Sequence, residues 1–360
     1  MKIVILANSS SGVYGFRKEL ISEIIKENKV IVITPDNGQC EELEVLGCTL
    51  IKISIERRGM NPITDIKLLL FYEKIFNKLK PDLVITYTIK PNIYGGFVSR
   101  IQGIPYAVNI TGLGTAFQKE GFLKKIVTIM YKVALKNAKV VFFENAENRD
   151  IFLNAKIVKE QQCCLLNGAG VNLKQYKLQK YPKCENGIHF LFIGRIMQEK
   201  GINELFEAMR KIHNENNMCY LDIVGSFEEN YSEVIKQGEK EGWLKYHGYK
   251  SDVRPFIANA HCFVLPSWHE GMANTNLECA ASGRPIITSD IHGCKEAVIE
   301  DVSGFLCESK NVDSLYNAMK RFLDLSQEER INMGRAGCKH MEEVFDKKKV
   351  VMETVKRLFN

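Results

Sequence analysis

The sequence has no long apolar run. None of its 360 residues lies in a stretch that approaches the roughly 20 apolar residues of a membrane-spanning helix. The apolar segment near the start, residues 3–7, is also too short for the core of a signal peptide. We therefore expect an unexported, cytoplasmic protein whose chain opens with a β-strand.

Several chemical signatures are missing as well. The eleven cysteines are scattered and form no Cys-x-x-Cys pair, which argues against a metal cluster or a disulfide framework. The Ser/Gly-rich segment after the first strand lacks Gly-x-Gly-x-x-Gly, so a nicotinamide site is not expected. No basic stripe is interleaved with aromatic residues, so nucleic acid is not an expected partner. The net charge of +6 suits anionic small molecules or an anionic membrane surface.

Short β-branched segments alternate with longer amphipathic ones along the chain. This alternation predicts parallel sheets covered by helices. The polar segment 171–187 interrupts the alternation and is interpreted as a linker between two domains. The fold class is therefore α/β, with two Rossmann-like domains whose ligands bind at the carboxyl ends of the strands. The predicted strands are residues 2–7, 30–34, 50–55, 82–87, 106–110 and 139–143, then 189–193, 220–224, 262–265 and 285–288.

The most informative segment is residues 265–287, which reads as strand, loop, helix, Gly-x-Pro and strand. It contains an E-x7-E pair, with Glu270 in the loop and Glu278 on the helix predicted at 273–282. Asn274 and Thr275 are of the polar types that favour a helix start. Backbone N–H groups and the helix dipole at such a start favour a diphosphate.

A second segment, residues 192–203, carries two cations after a strand. Arg195 and Lys200 stand between Gly194 and Gly201 in the pattern GR-x4-KG. An arginine can bind two phosphate oxygens and a lysine adds a point charge. The pair is suited to stabilise the charge that develops when a nucleoside diphosphate leaves.

These two motifs, with LxIVG at residues 221–225, resemble the GT4 family of retaining glycosyltransferases, which have the GT-B fold. The resemblance covers almost the whole chain. The segments SSSGVYGFR, NITGLGTAF and PSWHEGMANTNLECAASGRPIITSD are similar to bacterial transferases that build lipid-linked surface glycans. Within that group the sequence is most similar to hexosaminyltransferases that act on undecaprenyl-diphosphate-linked sugars.

The resemblance implies an organisation of the whole chain. Residues 1–175 would form a Rossmann-like acceptor-binding domain and residues 188–342 a Rossmann-like donor domain, with the two parallel sheets facing a cleft. Residues 343–360 would cross back to the first domain as a helix. The donor would be a UDP-sugar, such as UDP-GalNAc or UDP-GlcNAc, and the acceptor an undecaprenyl-diphosphate-linked glycan or surface polysaccharide.

The resemblance also implies roles for single residues. Glu270, Arg195 and Lys200 would be catalytic, and the sugar would be transferred on one face with retention. Glu278 would bind the ribose. Tyr249 would contact the base, and Gly12, placed in the first βα loop, would let the backbone approach the diphosphate. The donor-binding residues so implied are Gly12, Gly194, Arg195, Lys200, Gly225, Tyr249, Glu270, Gly271, Met272, Ala273, Asn274, Thr275 and Glu278.

The chain departs from the family pattern at one place. Many relatives carry a histidine after the fifth strand, where this sequence has Asn109 and Thr111. Either side chain, together with Tyr14, is a candidate contact on the acceptor side. The sequence also contains no Asp-x-Asp, the usual signature of a metal-bound diphosphate. No cofactor and no metal site are therefore expected, with the two cations and the helix start acting in place of a metal.

Each motif also has a simpler interpretation. Glu270 and Glu278 could be ordinary surface carboxylates, and Arg195 and Lys200 a solvated strand end. The segment 117–139 has a lysine-rich side and an apolar helical stripe formed by Leu123, Ile126, Val127, Met130, Val133 and Ala134. It is either a core-packed helix with a solvated basic face, or a contact with an anionic membrane in which Phe117 and Phe122 enter the interface. In the second case the protein would bind the inner face of the plasma membrane peripherally.

Two other functions remain open at this point. One is a UDP-sugar 2-epimerase of the GT-B fold, which needs other acid–base residues around the sugar. The other is a non-catalytic protein that binds sugar nucleotides. The E-x7-E context disfavours the first, and the intact set of four charged residues disfavours the second.

Overall fold

The computed structural model describes residues 1–55, 61–114, 117 and 121–360. These residues form two compact units. The first unit comprises Met1–Ala169 together with Lys348–Asn360, and the second comprises Gly170–Lys347. Each unit has its own parallel sheet and its own hydrophobic core.

The first unit is built on a parallel sheet of seven strands among the described residues, in the order β3-β2-β1-β4-β5-β6-β7. Apolar side chains on both faces of this sheet form two clusters beneath the helices, as expected for parallel strands. The strands are β1 Lys2–Leu6, β2 Lys29–Thr34, β3 Thr49–Lys52, β4 Leu83–Tyr87, β5 Tyr106–Ile110, β6 Val140–Phe143 and β7 Cys163–Leu165. Its helices before the second unit are α1 Ser10–Ile25, α2 Cys40–Val45, α3 Pro62–Leu79, α4 Gly96–Ile101, α5 Phe122–Leu135 and α6 Ala146–Asn154.

The second unit has a parallel sheet of six strands in the described region, ordered β10-β9-β8-β11-β12-β13. One large apolar cluster surrounds it. The strands are β8 Ile188–Ile193, β9 Cys219–Val224, β10 Leu244–Tyr246, β11 Cys262–Leu265, β12 Ile286–Ser289 and β13 Gly304–Cys307. The helices are α7 Ile202–Glu215, α8 Ser232–Glu241, α9 Arg254–Asn259, α10 Asn274–Ala281, α11 Val312–Asp324 and α12 Gln327–Val344.

The strand order reverses once in each sheet. In the first unit the reversal lies between β1 and β4, and in the second unit between β8 and β11. Ligands of open α/β sheets bind outside the carboxyl ends of the strands at such switch points. The topology therefore predicts that ligands bind at the loops that follow these four strands.

The last helix, α13, spans Lys347–Phe359, and nearly all of it is assigned to the first unit. Val350 and Leu358 are buried in the apolar cluster of that unit. Lys139, just before β6, donates a hydrogen bond of 3.0 Å from Nζ to the carbonyl oxygen of Leu358. The end of the chain is therefore packed against the sheet that its beginning forms.

Three strands were not predicted from the sequence. They are β7, β10 and β13, which contain only three or four residues each. Such short segments show little periodicity, and their pairing with a neighbouring strand is what makes them extended. No helix in the described part of the chain is both long and apolar enough to cross a bilayer.

Residues 171–187, predicted as a linker, are packed into the second unit. The Tyr181 hydroxyl donates to the carbonyl of His261 at 2.9 Å. The buried Arg284 guanidinium donates to the carbonyl of Lys180 at 2.8 Å, and the Gln179 amide donates to the carbonyl of Ser282. Hydrogen bonds at three consecutive residues, 179–181, therefore anchor this segment to the second unit.

His261 makes the stability of this region depend on pH. Its side chain is buried, and its Nδ1 accepts a hydrogen bond of 3.0 Å from the backbone N–H of His189. Burial lowers the pKa of His261 to about 4. Protonation at Nδ1 would place a proton against that N–H, so the folded state disfavours the cation.

We expect the free energy of unfolding to fall by about 2 kcal/mol through this residue between pH 7 and pH 5, because the unfolded chain then binds a proton that the folded chain does not. The measurement is urea unfolding at both pH values for the unaltered protein and for His261→Gln. The variant should show a correspondingly smaller decrease. An equal decrease in both proteins would contradict the assignment.

The eleven cysteines all lie within the described residues and carry free thiols. All but Cys163 and Cys184 are buried. Burial raises the pKa of Cys48 and Cys219 to about 11, so these thiols are protonated at neutral pH. They pack as small apolar side chains.

Candidate active site

The predicted donor-site residues of the second unit follow strands at one edge of the sheet. Arg195 and Lys200 follow β8, and Gly225 follows β9. Glu270 lies in the loop after β11, which joins that strand to α10. Because all strands are parallel, their carboxyl ends share this edge, and β8 and β11 are the two strands at the switch point.

Lys200 and Glu270 form the centre of this edge. The Lys200 ammonium group is hydrogen bonded to Oε1 of Glu270, and the same oxygen accepts a bond of 2.8 Å from the Ser267 hydroxyl. Their side chains are 17% and 12% exposed, so the ion pair is mostly shielded yet reachable from solvent. The structure thus brings together two residues separated by 70 positions, each of which was predicted from its own motif.

The loops that carry these two residues are joined by further contacts. The backbone N–H of Trp268 donates to the carbonyl of Glu199 at 3.0 Å. The Trp268 indole donates to Glu204 at the start of α7, and His269 Nε2 lies 3.3 Å from the Glu199 carboxylate. The positions of Lys200 and Glu270 are therefore fixed by a common scaffold, as preorganised catalysis requires.

Arg195 has its own carboxylate partner, which the sequence did not reveal. Nη1 of Arg195 lies 3.5 Å from Oε2 of Glu228, in the loop after β9. The next residue, Glu229, accepts a hydrogen bond of 2.8 Å from the backbone N–H of Gln198. Gln198 begins the short 3-10 turn that ends at Lys200. The only signal for this contact in the sequence was that two acidic residues lie in the loop after a predicted strand.

Glycine is required at two positions of this edge by close approach of the backbone. Gly201 has φ of +70°, and a Cβ there would collide with the carbonyl oxygen of Pro266 at the end of β11. At Gly225 a Cβ would collide with the carbonyl oxygen of Gly194. The carboxyl ends of β8, β9 and β11 approach one another closely only because these residues have no side chain.

The turn before α10 is supported by the segment that follows β12. The backbone N–H of Ala273 donates to the carbonyl of Gly293 at 2.7 Å, and the N–H of Gly293 donates to the Glu296 carboxylate at 2.7 Å. Helix α10 begins at Asn274, one residue later than predicted, with Ala273 as its N-cap. Met272 and Ala273 are buried, and the N–H of Ala273 is already bonded to the Gly293 carbonyl.

Glu278 lies on α10 and has a partner that sequence reasoning missed. Burial, and then the charge of Glu278 together with its hydrogen bond to the hydroxyl, raise the pKa of Tyr176. Tyr176 belongs to the segment predicted as a linker, so nothing in the sequence connected it with the site. Tyr249 lies after β10 at the same sheet edge and is 71% exposed.

In the first unit, the predicted position of Gly12 is wrong in one respect. Gly12 is in the first turn of α1, whereas the prediction placed it in a loop. Ser9 is the N-cap, and its hydroxyl oxygen accepts a hydrogen bond from the Gly12 N–H at 3.1 Å. The N–H of Gly12 therefore has a partner within the helix cap, and a Cβ at this position would meet only Ser9 at ordinary distance.

Asn109 was predicted as a polar contact for the acceptor, but its side chain is buried within β5. It is 4% exposed, and its Nδ2 donates to the carbonyl of Thr86 on β4 at 3.2 Å. Its amide thus links two strands. Thr111, just beyond the end of β5, and Tyr14, on α1, are both partly exposed.

A cluster of buried polar groups lies at the carboxyl edge of the first sheet. Arg17 of α1 forms an ion pair with Glu144, which directly follows β6, and the side chains are 11% and 9% exposed. The Arg17 guanidinium also lies 5.0 Å from the ring centre of Tyr87, the last residue of β4. The Tyr87 hydroxyl is buried and has no hydrogen-bond partner among the described residues. None of these three residues was predicted to be functional.

Helix α5 differs from the predicted stripe. Its buried residues are Val127, Tyr131, Ala134 and Leu135, whereas Leu123 and Val133, predicted in the apolar stripe, are exposed. Phe117 stacks on Phe152 at 5.9 Å between ring centres and lies beside Tyr131, so its ring packs within the first unit. Residues 118–120, part of the predicted basic segment, lie outside the described residues. The exposed residues of the helix combine apolar and basic side chains: Phe122, Leu123, Lys125, Ile129, Lys132 and Val133.

Family models match both units of the chain. The family described as "Glycosyl transferase 4-like" matches residues 2–145, and the family "Glycosyl transferases group 1" matches residues 174–340. The chain belongs to the glycosyltransferases. This glycosyltransferase carries the Arg195, Lys200 and Glu270 cluster within the part that matches the second family.

Two relatives extend over most of this glycosyltransferase. It is 27% identical to the N,N'-diacetylbacillosaminyl-diphospho-undecaprenol alpha-1,3-N-acetylgalactosaminyltransferase of Campylobacter jejuni, over 93% of the chain and 92% of the relative. It is 28% identical to the UDP-Gal:alpha-D-GlcNAc-diphosphoundecaprenol alpha-1,3-galactosyltransferase of Escherichia coli, over 74% of the chain and 73% of that relative.

Solved structures show the same fold. HepE of Anabaena, solved in complex with UDP-glucose, aligns with a TM-score of 0.81 over 99% of this chain and 100% of its own, at 16% identity. Sucrose-phosphate synthase of Thermosynechococcus elongatus aligns with a TM-score of 0.79 over 99% and 98% of the two chains, at 18% identity. The predicted GT-B fold is confirmed.

Proposed function

We propose that this glycosyltransferase moves an N-acetylhexosamine, GalNAc or GlcNAc, from its UDP derivative to an undecaprenyl-diphosphate-linked glycan, with retention at the anomeric carbon. The observation that carries the proposal is the Lys200–Glu270 ion pair at the switch point of the second sheet, with Arg195 in the same loop after β8. The names of the Campylobacter and E. coli relatives support the lipid-linked acceptor. The UDP-glucose complex of HepE supports a UDP-sugar as donor.

The charges of the cluster suit departure of a nucleoside diphosphate. In the proposed reaction the bond from the anomeric carbon to the β-phosphate oxygen breaks and a bond to an acceptor hydroxyl oxygen forms. The acceptor proton passes to a phosphate oxygen on the same face. Arg195 and Lys200 stabilise the negative charge that develops on the diphosphate, and Glu270 lies beside the positive charge that develops on the sugar.

We propose that the reaction requires no metal ion. Arg195 and Lys200, at one edge of the sheet, supply positive charge that a metal ion bound to the diphosphate would otherwise provide. The sequence also lacks Asp-x-Asp, the motif that usually binds such a metal. Turnover in the presence of EDTA should equal turnover in its absence. A loss of activity that is restored by Mg²⁺ or Mn²⁺ would show that this part of the proposal is wrong.

We propose that the first unit binds the acceptor at the carboxyl edge of its sheet. Tyr87, Arg17 and Glu144 form a polar cluster there, close to the switch-point strand β4. Tyr14 and Thr111, which are partly exposed, are further candidates for the same contact.

The test of function is transfer itself. The purified protein is incubated with a UDP-sugar and a synthetic undecaprenyl-diphosphate-linked oligosaccharide, and the product is analysed by mass spectrometry and by NMR of the new anomeric centre. The proposal expects one added hexosamine in the α configuration. Conversion of the UDP-sugar without acceptor would indicate an epimerase. Binding without any conversion would indicate a non-catalytic protein.

A membrane contact through α5 is part of the proposal. Phe122, Leu123, Ile129 and Val133 are exposed next to lysines of the same helix, a combination that suits the interface of an anionic bilayer. We therefore propose peripheral association with the cytoplasmic face of the membrane.

Replacement of Lys125, Lys132 and Lys136 by glutamine is expected to weaken binding to anionic vesicles by about 100-fold, at roughly 1 kcal/mol per lysine. Vesicle sedimentation at low salt provides the measurement. A matched control replaces Lys26, Lys29 and Lys78, which are also exposed lysines of the first unit. Equal losses of vesicle affinity in the two triple variants would show that binding depends on net charge alone.

A further inference from the structure

The guanidinium group of Arg195 is held by a carboxylate in a loose contact. Nη1 of Arg195 lies 3.5 Å from Oε2 of Glu228, and the two side chains are 36% and 25% exposed. An arginine pair elsewhere in the same unit shows what a tight contact looks like. Arg254 binds Asp252 through two nitrogens, each at 2.7 Å. The contact at Arg195 therefore leaves most donor positions of the guanidinium to another anion.

The loop that carries Glu228 is anchored to the segment that carries Arg195. The backbone N–H of Ile196 donates to the carbonyl of Ser226 at 2.9 Å, and the N–H of Glu228 donates back to the carbonyl of Ile196 at 3.1 Å. These bonds form a short parallel bridge between the two loops, which also pairs Phe227 with Ile196. Glu228 is thus kept beside Arg195 by the backbone.

The adjacent carboxylate makes a different contact. Glu229 accepts the N–H of Gln198 at 2.8 Å, at the start of the 3-10 turn Gln198–Lys200. A carboxylate at the start of a turn satisfies its unpaired N–H group and fixes its orientation. Loss of this bond would loosen the backbone that presents Lys200. Two neighbouring residues of the same type therefore act on the two cations in different ways.

We propose that Glu228 competes with the donor diphosphate for Arg195 and so limits the affinity of the enzyme for nucleoside diphosphates, whereas Glu229 supports binding by positioning Lys200. The inference rests on the proposed function. A diphosphate offers several oxygens to the guanidinium fork and can replace a single loose contact. Glu228 must then move away or remain beside a second anion, and either event lowers affinity.

The two carboxylates give opposite expectations. Glu228→Gln should lower the Kd for UDP by about two- to fivefold, the range for a partly exposed ion pair. Glu229→Ala should raise that Kd by about fivefold or more, because the backbone N–H of Gln198 then loses the carboxylate that accepts its hydrogen bond. Isothermal titration calorimetry with UDP measures both. Uridine, which has no phosphate, should bind all three proteins equally.

A control variant separates a local effect from net charge. Glu233→Gln removes the same charge from α8, where Glu233 is 83% exposed and pairs with Lys236. It should leave the Kd for UDP unchanged. In a protein that carries Arg195→Met, the gain from Glu228→Gln should disappear, since the two residues act on each other.

The inference would be overturned if Glu228→Gln bound UDP no more tightly than the unaltered protein, or if Glu233→Gln gave the same gain. An equal gain in the Arg195→Met background would overturn it too. If ADP or GDP bound and UDP did not, the proposed donor nucleotide would be wrong. The same comparison with the nucleotide that binds would still decide the role of Glu228. If none of the three nucleotides bound, both the inference and the proposed function would be contradicted.

Discussion

Replacement of Glu270 by glutamine is expected to lower kcat by about 100- to 1,000-fold, the range for loss of one preorganised electrostatic group. The carboxylate is held by Lys200 and Ser267, and glutamine can still accept a hydrogen bond from either. The shape of the site is therefore kept while its negative charge is removed. The developing positive charge on the sugar then loses its stabilising partner, whereas the ground state changes little.

The measurement for Glu270→Gln combines steady-state transfer with thermal unfolding. The KM for the UDP-sugar should change much less than kcat, and the melting temperature should stay close to that of the unaltered protein. Glu185→Gln is a suitable control, since Glu185 is an exposed, ion-paired carboxylate of the same unit. Turnover within a factor of a few of the unaltered enzyme would refute the role of Glu270.

Replacement of Lys200 by methionine should lower kcat/KM by about 10- to 100-fold, as expected for a hydrogen bond between charged groups. Lys200 is 17% exposed at the switch point, and its ammonium group is the partner of Glu270. Methionine retains the apolar stem and removes the charge. The variant should bind UDP more weakly and should also leave the Glu270 carboxylate without its cation.

Because Lys200 and Glu270 are in direct contact, the two substitutions should not be additive. The double variant is expected to lose much less activity than the product of the two single losses. Lys295→Met, which removes a lysine paired with Asp290 on the same unit, is the control. Additive losses would mean that the two residues act independently, contrary to the geometry.

The sequence predicted the parts of the site that lie within single motifs. Strands and helices alternate clearly along this sequence. A charged residue that directly follows a parallel strand lies at the carboxyl edge of the sheet. For this reason Lys200 and Glu270 could each be selected before their contact was known. Prediction of their contact would have required the strand order, because β8 and β11 are adjacent only in the folded sheet.

The missed features depend on contacts between distant segments. Glu228 pairs with Arg195 because β9 lies beside β8, and Tyr176 reaches Glu278 from a segment without regular structure. Arg17 and Glu144 are 127 residues apart. Gly12 was misplaced for a local reason, since the hydroxyl of Ser9 caps a helix inside a Ser/Gly-rich segment that resembles a loop.

The glycines at the carboxyl edge of the second sheet restrict how this enzyme can be redesigned. Any side chain at Gly225 or Gly201 collides with the backbone of a neighbouring strand end, so random libraries that include these positions would consist largely of misfolded members. Tyr249 and His269 are exposed at the same edge and carry no such restriction. A search for variants with altered donor preference should therefore vary these two positions and keep both glycines.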